Sequence, residues 1–157
     1  MATSFVKYHD HGFWCNDAYL EVWTLLFVKE VEKGQFHANS KLKDRVVNDW
    51  YLAATVGFVG CIDLSLDDII TSDEDRAFLL NVAEVLNAHL SSLPIGLPVA
   101  TMAVIENEIR GEKWPVPPLT NSILKVGVLF SQLMRGDLTT KSNSPLDYLK
   151  PENWNRI

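Results

Sequence analysis

Hydrophobic and polar positions follow the period of a helix over most of this chain. Asn16 or Asp17 can cap a first helix, in which Leu20, Trp23, Phe27 and Val31 recur at helical spacing until Gly34 stops the pattern. Glu21, Lys29, Glu32 and Lys33 fall on its wet side, so the spacing predicts a helix over 17–33. Ser40 caps a second helix, whose first turns carry Lys41, Lys43, Asp44 and Arg45 before charge disappears. From Trp50 to Ile62 no residue bears a formal charge. Leu42, Val46, Trp50, Ala53 and Gly57 align on one side of this helix and Tyr51, Ala54 and Phe58 on another, which leaves its second half apolar nearly all round. A bilayer span takes roughly 20 apolar residues, more than this run supplies. It is therefore expected as the buried centre of the fold, over about 41–60, with Trp50, Ala53, Ala54, Gly57, Phe58 and Cys61 in the core.

Three further patterns surround it. Thr71 or Ser72 can cap the next helix, Thr71-Ser72-Asp73-Glu74 having the form of a capping box, and Phe78, Leu79, Val82, Val85, Leu86 and Leu90 mark the apolar face of that helix, ending near Ser91 and Pro94. Pro98 suits the first position of a helix with Val99, Met102, Ala103, Ile105 and Ile109 as its apolar residues, stopped by Gly111. Lys113 to Pro118 must be extended, because each proline pushes its predecessor out of helical space. Thr120 caps the last long helix, with Ile123, Val126, Phe130 and Leu133 in phase and Gly136 beyond it. Residues 1–15 show neither period and read as an irregular arm packing its aromatics on the body. Residues 137–157 read as a polar tail with a short helix begun by Ser144-Pro145, with Trp154 as an anchor. The expected fold is all-α: an irregular single-domain bundle of about five longer helices around the central one, plus one or two short ones.

Composition narrows the setting. With 157 residues, 47% hydrophobic and 22% charged, the chain matches one ordinary globular domain. The net charge of −6 repels nucleic-acid backbones and acidic lipid surfaces and favours basic partners, so neither nucleic acid nor membrane is an expected partner. The start lacks the features of a secretory signal, which leads to an expected cytoplasmic location, where Cys15 and Cys61 would be free, buried thiols.

The search for chemistry turns up few candidates. Asp63, Ser65, Asp67, Thr71 and Glu74 fall at ligand positions of a calcium-binding EF-hand loop, but Asp68 stands where the loop needs glycine, and Leu64 and Leu66 are large and apolar where such loops are polar or small. Two successive helix caps account for the same residues. His9, His11 and Cys15, with His37, match no zinc spacing. Glu106 and Glu108 diverge on a helix and lack the partner histidines of a di-iron site. There is no nucleophile elbow, phosphate loop or HExxH motif. The expectation is a protein without metal, cofactor or catalytic residues.

What stands out is acidity: Asp63, Asp67, Asp68, Asp73, Glu74 and Asp75 lie within thirteen residues, opposed only by Arg76. They are the candidate partner-binding set. The apolar helix end running into the acidic turn, Gly60-Cys61-Ile62-Asp63-Leu64-Ser65-Leu66-Asp67-Asp68-Ile69, resembles immunity proteins of bacterial polymorphic-toxin systems, including contact-dependent growth inhibition. The resemblance implies a stoichiometric inhibitor that binds a cognate toxin domain, often a basic nuclease, and masks its active site; it transfers no individual binding residue. The alternatives are a small enzyme whose site is assembled in space and a helical scaffold or adaptor subunit.

Overall fold

The computed structural model describes residues 2–56, 60–109, 114 and 117–138. Among them the element order is β1 (Thr3–Tyr8), β2 (His11–Asn16), α1 (Asp17–Glu32), α2 (Ser40–Arg45), a π-helical turn (Val46–Trp50), α3 (Tyr51–Thr55), α4 (Leu66–Ile69), α5 (Asp73–Ser92), α6 (Val99–Glu108) and α7 (Thr120–Arg135). The fold is largely helical but not purely so. Where an irregular arm was expected, β1 and β2 form an antiparallel hairpin, with Ser4 opposite Cys15, Phe5 opposite Trp14 and Val6 opposite Phe13. The alternation is hard to see in the sequence because both faces carry apolar groups. Val6, Phe13 and Cys15 point into the core, while Phe5 and Trp14 pair on the other face with ring centroids 5.0 Å apart. The turn, His9-Asp10, also lacks the usual hairpin signature; His9 adopts a left-handed φ of 53° without being glycine.

The centre of the core is α1 rather than the second helix. Leu20, Val22, Trp23, Leu25, Phe27 and Val28 are all fully buried, which covers α1 on nearly every side. Trp23 and Phe27 meet Trp50 and Phe130 in one aromatic cluster: Trp23 to Phe130 at 4.8 Å, Phe27 to Trp50 at 4.9 Å, and an edge-on contact of Trp50 with Phe130 at 6.0 Å. Each such pair adds about 0.5–1.5 kcal/mol beyond its area burial. Helices α5 and α7 run antiparallel, tied by Asn87 Nδ2 donating to Ser131 Oγ at 3.1 Å and by an Arg135 to Glu84 ion pair.

The segment expected as the central helix is helical from Ser40 to Thr55 and departs from expectation in three ways. Asn39, not Ser40, is its cap, with its Oδ1 accepting from Leu42 N–H at 2.7 Å. Its buried residues Leu42, Val46, Trp50 and Ala54 recur every fourth position. At about 3.6 residues per turn that spacing drifts around an α-helix, and the wider π turn takes up the drift and aims Trp50 inward. There its Nε1–H donates to Leu64 O at 3.0 Å. Finally, the second half is not covered all round: Leu52 is 56% and Val56 69% exposed, Ala53 is half-buried, and Cys61 is exposed. Gly57 and Phe58 lie outside the described residues, as does the expected helix at Ser144-Pro145. The burial of Glu21 and Glu30, both 5% exposed, follows from the same centrality of α1 and removes Glu21 from the wet side.

Candidate functional site

Between Gly60 and Arg76 the chain makes two short turns of capping chemistry, and bonds from three distant segments hold them in place. Asp63 Oδ1 accepts from Ser65 N–H at 2.7 Å, which sets Ser65 in a left-handed conformation (φ 50°) at the start of α4. Asp67, in the first turn of α4, accepts from the backbone N–H of His9 at 2.7 Å, and the same oxygen lies 3.3 Å from His9 Nδ1. The hairpin tip is thereby fastened to the acidic turn. Arg45 Nη1 donates to Asp68 O at 2.9 Å while its Nε pairs with Asp49, so the second helix braces α4 from the other side. At the base, Ser4 Oγ donates to Asp17 Oδ1 at 2.7 Å and accepts from Ile62 N–H at 2.9 Å, and Asp17 also accepts from Gly60 N–H. One buried hydroxyl and one buried carboxylate thus join hairpin, α1 and the strand of chain entering the turn.

Of the two caps the sequence offers for α5, Ser72 is the N-cap, and its hydroxyl accepts from Asp75 N–H at 3.1 Å. The reciprocal carboxylate is Asp75 rather than Glu74: it accepts from Thr71 N–H at 2.9 Å, from Thr71 Oγ1 at 2.7 Å and from Asn39 Nδ2 at 3.0 Å. Burial pushes the Asp75 carboxyl upward, but the bonds from Thr71 and then Ser72 outweigh it and hold it below its ordinary range. Phe78, Leu79, Val82 and Leu86 of α5 are buried in the core.

Of the six candidate carboxylates, Asp63, Asp67, Asp68, Asp73 and Glu74 are exposed and Asp75 is not, being 4% exposed and fully engaged with neighbours. Asp75 is therefore a positioning residue and leaves the partner-binding set. Asp73 is 93% exposed at its side chain even though Arg76 pairs with it at 2.9 Å. His9, weighed from the sequence only as a metal ligand, belongs to this corner, and its signal was absent because the contact spans 58 positions. Between α2, α4 and the start of α5, a shallow depression is lined by Lys41, Arg45, Asp68 and Thr71, so the acidic face is bordered by basic groups on that side.

The other candidates are dispersed. Cys15 is wholly buried, and burial together with the charge of Asp17 pushes its thiol far above the ordinary range, which makes it an unreactive core group. His11 lies on β2 and His37 is exposed in the α1 to α2 connection. Among the described residues no three His, Cys, Asp or Glu side chains are grouped to hold a metal ion. Glu106 and Glu108 act separately, Glu106 Oε1 accepting from Trp114 N–H at 3.1 Å and Glu108 pairing with Lys29 at 3.1 Å.

Glu108 also bonds Tyr51, whose ring lies 5.7 Å from Lys29 Nζ, so α1, α3 and α6 meet in one polar cluster. The bond and charge of Glu108 raise the Tyr51 hydroxyl above its ordinary range. Burial lowers Lys29, but Glu108 and then Glu32 reverse this and raise it. Both groups stay protonated, which suits a structural tie and not a general base. Among the described residues no helix is long and apolar enough to cross a membrane. No known protein family, curated protein or solved structure matches this chain.

Proposed function

We propose that this chain is a non-catalytic binding protein, an immunity protein that neutralises a cognate toxin by placing an acidic face over the toxin's basic active site. The observation that carries this reading is the fixing of the acidic turn. Five exposed carboxylates stand on backbone held by His9, Arg45, Asn39 and Ser4, which come from segments far apart in sequence. A merely solvated charge run needs no such bracing, whereas a binding surface gains from it, since a preorganised surface loses less entropy on association. Fixed like charges also steer a basic partner to the site and raise its association rate.

The test uses the toxin domain that this reading expects to be encoded beside this chain. Its association is measured for wild type and for a variant combining Asp63→Asn, Asp68→Asn, Asp73→Asn and Glu74→Gln, at low and high salt. Asp67 and Asp75 are left intact because they hold the fold. The variant is expected to associate at least ~10-fold more slowly at low salt, with a shallower salt dependence, because exposed charges are screened beyond about 8 Å at physiological ionic strength. Equal rates and equal salt slopes would remove the acidic turn from the interface.

A further inference from the structure

We draw no further inference here: the strongest candidate, the open apolar face of α6 flanked by Ile95 and Leu119, has nothing in the structure to show what covers it, the acidic end of that helix being engaged already within the chain through Lys29, Tyr51 and Trp114.

Discussion

The backbone N–H of His9 donates to Asp67 Oδ1 at 2.7 Å, joining the tip of the hairpin to the first turn of α4 across 58 positions of sequence. The bond needs an oxygen acceptor and not a charge. Asp67→Asn should leave stability within about 0.5 kcal/mol of wild type, whereas Asp67→Ala should cost on the order of 1 kcal/mol by removing the acceptor, both read from urea denaturation. Amide exchange at His9 should accelerate only in the alanine variant.

Asp75 makes stability depend on acid. Its folded pKa lies below the ordinary 3.8, so its contribution is present above pH 3.8 and is lost as pH falls through the lower folded value. Asp75→Asn should lose roughly 1.5–3 kcal/mol at neutral pH and flatten the acid limb of the stability curve. An unchanged acid limb would show that other carboxylates govern it.

At the alkaline end, Glu108 links two groups. Lys29 and Tyr51 both titrate above their ordinary 10.5 and 10.0, so the stability they contribute is present below those values and declines as pH rises through the folded ones. Glu108→Gln should remove most of that decline, and the tyrosinate absorbance of Tyr51 should then develop at lower pH. Difference titration of the variant against wild type and against Tyr51→Phe isolates this residue.

Gly127 of α7 faces Trp23 of α1 and Asn87 of α5. A Cβ there would fall on Asn87 Oδ1 and 2.7 Å from Nε1 of the fully buried Trp23. Asn87 can turn away only by giving up its bond to Ser131. Gly127→Ala should therefore destabilise by about 1–3 kcal/mol despite the better helix propensity of alanine, as measured by thermal or urea unfolding.

The sequence alone determined the elements whose signals are local. The period of Leu20, Trp23, Phe27 and Val31, a cap at Asn16 or Asp17 and the left-handed Gly34 define α1, and Gly136, with φ 81°, ends α7 as its position after Arg135 suggests. Helix caps and periodicity act within a few residues, so they can be read without the fold. Tertiary structure decided what depends on contacts between distant segments. The hairpin was hidden because its two faces are both apolar and its register is fixed by Ser4 reaching Asp17 and Ile62. The centre of the core passed from the second helix to α1, because burial follows from how many elements surround a helix and not from its charge alone. Within the acidic turn the sequence supplied six equivalent carboxylates. Only the arrival of Thr71 and Asn39 at Asp75, and of His9 at Asp67, separated the buried one that holds the turn from the five that face solvent, because a carboxylate's role is set by the donors that converge on it.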